Sequence, residues 1–357
     1  MVGFLKSLFR PKVKKAVSVQ PFGSYFEVCG SETLLEAALM NDVPFPHNCT
    51  VGTCGACKCR LISGQVKAIT DFGYTLSKQE IEAGFILACQ AVPLDEETRL
   101  EVVSSGIDAP PPEKYTGKVA EARSLTHDIM LVEIALDRPL KYVAGQYANV
   151  EYSGLSRARS YSFADAPDIN GRSRVSFMIR KVPGGEFTEA LHAGALEGKE
   201  LSIDAPHGDF YLRTSVAPMV CIAGGSGLAP LLSILEDARK KRVERPCTVL
   251  FGARTSADLY ALDQLDNISK GWRGSFHFIP VLSHEPEDSD WNGARGLVTS
   301  FISDALEKEP GEGAEFYMCG PPGMIDSAIE IASREGIALE NIHYDKFTDQ
   351  STQAPKS

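Results

Sequence analysis

Residues 45–66 read FPHNCTVGTCGACKCRLISGQV, and a further cysteine follows at position 89 within FILACQ. The first three cysteines fall as Cys49-x4-Cys54-x2-Cys57, with Cys89 far downstream. This is the ligand spacing of a plant-type [2Fe–2S] cluster. A two-iron cluster needs four thiolates: three come from one wrapping loop, and a fourth closes the site from another element. Gly52 and Gly55 allow backbone N–H groups to approach the sulfurs, where hydrogen bonds tune the potential. Zinc is the competing reading, but it prefers paired C-x2-C knuckles, and only Cys54 and Cys57 have that spacing here. Cys49, Cys54, Cys57 and Cys89 are therefore expected to hold the metal. Cys59, two residues past Cys57, is a competing ligand or, as expected, packs within a strand over 58–62, and Cys29, Cys221 and Cys247 are expected to be buried apolar residues.

Outward from this loop, composition sets limits. The chain has 357 residues, enough for two or three domains with cores of their own. Nine cysteines, an odd number of which five lie between Cys49 and Cys89, fit a disulfide framework poorly. A net charge of −11 argues against nucleic acid as a partner, because phosphate binding needs clustered Lys and Arg. No apolar run approaches the roughly 20 residues of a membrane span. The N-terminal MVGFLKSLFRPKVKK is too interrupted for a secretory signal, so a cytoplasmic protein is expected.

Six segments separate along the chain. Residues 1–15 form a basic tail carrying Lys6, Arg10, Lys12, Lys14 and Lys15 and no acid. Within it Phe4, Leu5, Leu8 and Phe9 lie on one face of a short helix that should end at Pro11. Such a segment suits either an anionic membrane surface at the inner face or a partner protein, or else is a frayed tail. Residues 16–105, the cysteine domain, hold five Lys/Arg against eleven Asp/Glu. Residues 106–114 form a proline-rich linker. Residues 115–213 contain short alternating runs such as DIMLVEIAL and RVSFMIRKV, which read as strands of a small barrel or sandwich. In 214–347, PMVCIAGG and CTVLFGAR read as buried strands around the helix LAPLLSILEDARKK, a βαβ unit of a parallel sheet. Residues 348–357 are a C-terminal tail.

The cysteine segment resembles the ferredoxin domain of the reductases of bacterial oxygenases, and the resemblance runs through nearly the whole chain. Within that family it is most similar to electron-transfer components of xylene monooxygenases, and reductases of benzoate-type dioxygenases share the domain order. The resemblance implies a multidomain fold: an α+β β-grasp [2Fe–2S] ferredoxin, an antiparallel β-barrel binding FAD, and an α/β parallel-sheet domain binding NAD.

Further motifs gain weight from that order. Arg159-Ser160-Tyr161-Ser162 resembles the family's R-x-Y-S flavin signature. Arg159 would supply a fixed charge and donor fork to the FAD pyrophosphate. Tyr161 would stack on the isoalloxazine, and Ser162 would donate near flavin N5. Twenty residues on, Arg180 precedes Gly184-Gly185-Glu186-Phe187-Thr188, which reads as a phosphate-cradling turn opening the helix EFTEALHAG, or as a plain turn with a Thr cap. Gly224-Gly225-Ser226-Gly227 follows a strand and matches the family's dinucleotide loop, although Ala229 and Pro230 replace the last part of G-x-G-x-x-G. Cys319-Gly320-Pro321, after the strand EFYM, would face the nicotinamide, with the cysteine near the hydride path. Asp258 favours NAD over NADP by an acid near the ribose 2′-hydroxyl, while Arg254 and Ser256 keep NADP open. Phe347, in HYDKF, would cover the flavin face.

Together these residues imply an NADH-dependent reductase, passing electrons from NADH to FAD to [2Fe–2S] and on to a terminal hydroxylase of xylene-monooxygenase or benzoate-dioxygenase type. The cofactors carry the chemistry, and the protein supplies orientation and electrostatics. A reductase serving a deoxysugar dehydratase is the alternative. A redox sensor fits less well, because the flavin and nucleotide motifs are complete.

Overall fold

Val17 and Val19 turn inward from the strand Lys14–Gln20, and Phe26 and Val28 do so from Ser24–Cys29, so two short alternating runs pair as an antiparallel ribbon with one apolar face. The structure, a computed structural model, describes residues 14–43, 45–47, 51–52, 55–102, 109–308 and 313–348. It divides into two units, Met1–Gly106 and Ile107–Ser357.

In the first unit that ribbon joins a five-stranded mixed sheet, in the order Ser24–Cys29, Lys14–Gln20, Glu97–Glu101, Lys58–Ser63, Phe85–Leu87. The helix Leu34–Met40 lies against it. Thr33 and Glu36 form a reciprocal capping box at its start, and Leu34, Leu35, Ala37 and Ala38 are buried. A helix packed on one face of such a sheet is the expected β-grasp arrangement. Two expectations are corrected here. Lys14 and Lys15 belong to the first strand rather than to a tail: Lys14 pairs with Glu27, and Lys15 donates to the Pro93 carbonyl. Cys29 is half-buried at a strand end, not enclosed. The apolar face proposed for residues 4–9 lies outside the described residues.

The second unit begins with a six-stranded antiparallel sheet, ordered Arg159–Ser162, Tyr147–Tyr152, Glu200–His207, Glu113–Ser124, Ile129–Leu140, Arg172–Arg180. A bridge between Phe163 and Phe177 draws the first and last strands together and curls the sheet around Val132, Ile134, Val175 and Ile203. The strand Glu113–Ser124 starts inside the stretch read as linker, so Glu113 and Lys114 are sheet residues.

Six parallel strands follow, ordered Ala294–Arg295, Phe276–Leu282, Cys247–Ala253, Met219–Gly224, Glu315–Gly320, Ile342–Lys346. Met219–Gly224 and Glu315–Gly320 are buried along their whole length. A strand covered on both faces reads as an unbroken apolar run, which is why these segments stood out. The helix Leu228–Lys240 covers one face and Pro322–Arg334 the other. The first of these cores also takes in Ile129, Ala144, Ala164, Met178 and Phe210, so the curled sheet and the parallel sheet share one hydrophobic core. Cys319 and Gly320 are the last residues of a strand, and the next helix starts at Pro322 with no intervening loop beyond Pro321. Among the described residues no helix is long and apolar enough to cross a membrane.

Candidate functional site

Three groups of candidate residues arise, each at the end of a regular element. In the first unit, pairing of Lys58 with Leu87 sets the start of one strand beside the end of another. That register brings Cys57 and Cys89 together, both 3% exposed. The Cys89 N–H points at Cys57 Sγ at 3.5 Å, and Gln90 Nε2 lies 3.8 Å from Cys89 Sγ. N–H groups directed at buried sulfur are the environment a thiolate-bound cluster requires, so these residues fit the group. Cys49 and Cys54 lie outside the described residues. Gly52 and Gly55 have φ of +82° and +71°, and a Cβ on Gly52 would stand 2.6 Å from Gln90 Cγ. Thr75 donates to the Gly52 carbonyl at 2.5 Å and Thr70 to Gln90 Oε1 at 3.1 Å. Thr70, Thr75 and Gln90 thus hold the cysteine loop, and nothing in their spacing announced it. Burial pushes the Cys59 thiol up, with Cys89 adding to the effect, so Cys59 stays a protonated packing residue.

The second group lies at the curled sheet. Arg159–Ser162 pairs with Val150–Tyr147, and the turn at Gly184–Gly185 packs beside it. Arg159 stands 3.9 Å from Glu186, and the Tyr161 and Phe187 rings are 5.3 Å apart, so the two flavin motifs meet in space. Ser160 donates to Asn149 Oδ1 at 2.7 Å, while Ser162 is buried. Other details depart from expectation. Arg180 turns away to Asp128, with Nε at 2.8 Å from the carboxylate. The Thr188 hydroxyl is drawn inward, 3.1 Å from Val182 N and 3.2 Å from the carbonyls of Val182 and Gly185. Gly185 rather than Thr188 is the helix cap, and a Cβ there would fall 2.8 Å from the Val182 carbonyl. The helix, Glu186–His192, stops short of the expected end because Gly194 leaves the right-handed region at φ +71°. Gly184 keeps φ +71° with open space around it, and its N–H goes to Glu189 at 2.8 Å.

The third group sits at the carboxyl ends of the parallel strands, where open α/β sheets bind ligands. Gly224–Gly227 and Cys319–Pro321 end neighbouring strands and press together. A Cβ on Gly227 would lie 2.2 Å from the Cys319 carbonyl oxygen, and one on Gly224 would meet Met324 Sδ at 2.7 Å. Only Gly225, φ +55°, faces open space, and Tyr260 Oη donates to its carbonyl at 2.7 Å. Cys319 is fully buried, and burial raises its thiol well above the ordinary value. Phe347 donates its N–H to the Gly320 carbonyl at 2.9 Å and packs on the core that contains Cys319. Ser162 lies two residues before Ala164 of that same core. Asp345, paired with Cys319 on the neighbouring strand, is pushed up to about 7 by burial, with Asp209 as the second cause. Asp258 is not an open strand-end acid. Its Oδ2 accepts from Thr255 N at 2.9 Å and Oγ1 at 3.0 Å, and its Oδ1 faces His127 Nδ1 at 3.1 Å.

Comparison with known proteins matches this order. The 2Fe-2S iron-sulfur cluster binding domain matches residues 17–94, the oxidoreductase FAD-binding domain 116–211, and the oxidoreductase NAD-binding domain 221–330. The chain is 40% identical to the xylene/toluene monooxygenase electron transfer component XylA of Pseudomonas putida, over 96% of each chain. Among solved structures it is similar to the Amycolatopsis cytochrome P450 reductase GcoB, 34% identical with a TM-score of 0.70, over 94% of this chain and 99% of that one. It is also similar to the ferredoxin reductase in carbazole 1,9a-dioxygenase, 27% identical with a TM-score of 0.67, over 94% of this chain and 98% of that one. The fold and these matches define an oxidoreductase with [2Fe–2S], FAD and NAD domains in one chain. The chain belongs to the family of iron–sulfur flavoprotein reductases that act as electron-transfer components of bacterial multicomponent oxygenases.

Proposed function

We propose that the chain oxidises NADH and delivers electrons one at a time to a terminal oxygenase. The observation that carries this reading is the co-occurrence of three cofactor domains, in order, in a chain matching XylA over 96% of its length. When bound, the nicotinamide and flavin exchange a hydride, and the cluster passes single electrons.

The chain's own residues have these tasks. Cys49, Cys54, Cys57 and Cys89 hold the cluster, and Gln90, Thr70 and Thr75 fix the loop around it. Arg159 supplies positive charge for the flavin pyrophosphate, Tyr161 an aromatic face, and Ser160 and Ser162 hydroxyl donors. Gly184 presents a turn without a side chain, while Gly185, Phe187 and Thr188 shape its support. Gly225 leaves room for a dinucleotide, and Gly224, Gly227, Cys319, Gly320 and Pro321 build the floor beneath it. Phe347 closes the site. Domain limits of 16–105, 115–213 and 214–347 describe this division, shifted to Lys14 and Glu113 at the first two starts. The partner is read as an oxygenase of the xylene-monooxygenase or benzoate-dioxygenase type, in the cytoplasm.

The test separates the two halves of the path. Purified protein should reduce both ferricyanide and cytochrome c with NADH. Cys89→Ser should lose the visible iron–sulfur absorbance and cytochrome c reduction, yet keep ferricyanide reduction, which the flavin performs directly. A Cys89→Ser protein with a normal reduced-cluster EPR signal refutes the ligand assignment. Wild-type protein loaded with FAD that oxidises NADH with neither acceptor refutes the reductase.

A further inference from the structure

Ser256 follows the strand Cys247–Ala253 and presents its N–H and its hydroxyl together at the carboxyl end of the parallel sheet. Beside it Arg254 is exposed. Two donors on one residue next to a guanidinium are what a phosphate monoester would be bound by. Here both donors are already taken. Ser256 N donates to Glu285 Oε2 at 2.6 Å and Ser256 Oγ to Oε1 at 3.0 Å.

Glu285 is well fixed in this position. Arg295 threads its guanidinium under the loop, donating to the carbonyls of Glu285 at 2.9 Å, Pro286 at 2.8 Å and Trp291 at 2.9 Å, and to Ser289 Oγ at 3.0 Å. His284 N donates to the Arg254 carbonyl at 2.8 Å, so the loop is also stitched to the segment it reads. The bond from the Ser256 backbone holds the Glu285 carboxyl below its ordinary value, keeping it ionised at neutral pH. Glu287, Asp288 and Asp290 add further negative charge to the same loop.

We infer that Glu285 sets the coenzyme preference by occupying the position a 2′-phosphate would need. This rests on the NADH reading above and deepens it. A ribose 2′-hydroxyl can donate to a carboxylate, whose oxygens have spare lone pairs. A phosphate dianion must instead displace that carboxylate from two hydrogen bonds and sit among like charges. Asp258 is the less suited acid, because its Oδ2 accepts two bonds that shape its own turn and its Oδ1 faces His127 rather than Ser256.

The experiment uses two fragments of the coenzymes, 5′-AMP and 2′,5′-ADP, titrated calorimetrically against FAD-loaded full-length protein. The wild type should bind 5′-AMP the more tightly. Glu285→Ala should gain roughly tenfold or more in affinity for 2′,5′-ADP, as a like charge is removed and two donors are freed. Its affinity for 5′-AMP should fall only a few-fold. Adding Arg254→Ala to Glu285→Ala should abolish the gain, because the phosphate would then lack its cation. Glu285→Gln, which keeps an acceptor for Ser256 without the charge, should show part of the gain and guards against a folding defect.

An unchanged ratio in both Glu285 variants overturns the inference. So does a shift of the ratio by Asp258→Ala but not by Glu285→Ala, or the absence of binding by either fragment. The NADH–ferricyanide rate of the wild type is read separately: its loss overturns the reductase reading, while the fragment ratio still decides the role of Glu285.

Discussion

Gly227 and Gly225 sit two residues apart in one loop, yet they should fail in different ways when given a methyl group. At Gly227 the added Cβ would be 2.2 Å from the Cys319 carbonyl oxygen, 2.5 Å from its carbonyl carbon and 2.8 Å from Gly320 N. All three are backbone atoms of a fully buried strand, so no rotamer change relieves the contact. One strand end must move by about an ångström. Overpacking of this kind costs typically 1–3 kcal/mol and more when the backbone itself must yield, so about 3 kcal/mol is expected for Gly227→Ala. In a unit of this size each 1 kcal/mol shifts the midpoint by about 2–4 °C, giving a fall of roughly 6–12 °C. At Gly225 the Cβ meets nothing within 4 Å, and only the φ of +55° resists it. A left-handed alanine costs roughly 1–2 kcal/mol, so the midpoint should fall by about one third to two thirds as much. The functional ranking should be the reverse. Gly225→Ala puts a methyl where a dinucleotide would approach and should raise the KM for NADH more than Gly227→Ala does. Thermal unfolding followed by circular dichroism, with NADH–ferricyanide kinetics on the same samples, measures both. A Gly227→Ala protein as stable as Gly225→Ala would refute the packing argument.

Three further outcomes follow from particular residues. Asp345, ordinarily near 3.8, is raised to about 7, so between those values the folded protein holds a proton that the unfolded chain has lost. Stability should therefore fall as pH rises through that window and level off above it, by roughly 2–3 kcal/mol between pH 5 and pH 8, and Asp345→Asn should remove the slope. Urea denaturation at the two pH values checks this, and parallel curves for the two proteins would count against it. Arg159→Ala should weaken FAD binding about tenfold to a hundredfold, the loss of a charge-assisted contact worth roughly 1.5–3 kcal/mol, and an unchanged FAD titration would release Arg159 from the pyrophosphate. For the basic N-terminus, the hypothesis is weak, reversible attachment to an anionic membrane near the oxygenase. A chain starting at Lys14, which keeps the first strand intact, should retain NADH–cytochrome c activity but co-sediment less with anionic vesicles at low salt; equal co-sedimentation leaves the segment without that role.

What was legible in the sequence was whatever local chemistry alone dictates. Cluster ligation fixes cysteine spacing, so the loop around Cys57 and the distant Cys89 could be read without knowing how the chain folds. A parallel sheet buried on both faces forces unbroken apolar runs, so Met219–Gly224 and Cys247–Ala253 declared themselves. Groups whose partners are supplied by distant segments were not legible. Arg180 reads with the cofactor turn because it precedes a glycine pair, and its ion pair with Asp128, 52 residues away, does not show in the sequence. Thr188 reads as part of a phosphate-cradling turn or as a helix cap, and the fold of its hydroxyl back on Val182, which the missing Cβ of Gly185 permits, does not show in the sequence.

The acid that meets Ser256 shows the same limit most clearly. A search along the chain for a carboxylate near the end of the second strand of the parallel sheet finds Asp258 first, only five residues past Ala253. Its proximity in sequence is what disqualifies it: a carboxylate three residues after Thr255 closes a capping box on its own backbone, and so is consumed in shaping the turn. Glu285 reaches Ser256 because it belongs to the loop after the neighbouring strand, 29 residues further on. Parallel register brings it there. Val281 and Leu282 stand beside Gly252 and Ala253, so the residues following both strands must emerge at the same edge of the sheet. An acid acting across that edge is coded by strand pairing, which periodicity predicts, together with register, which it does not.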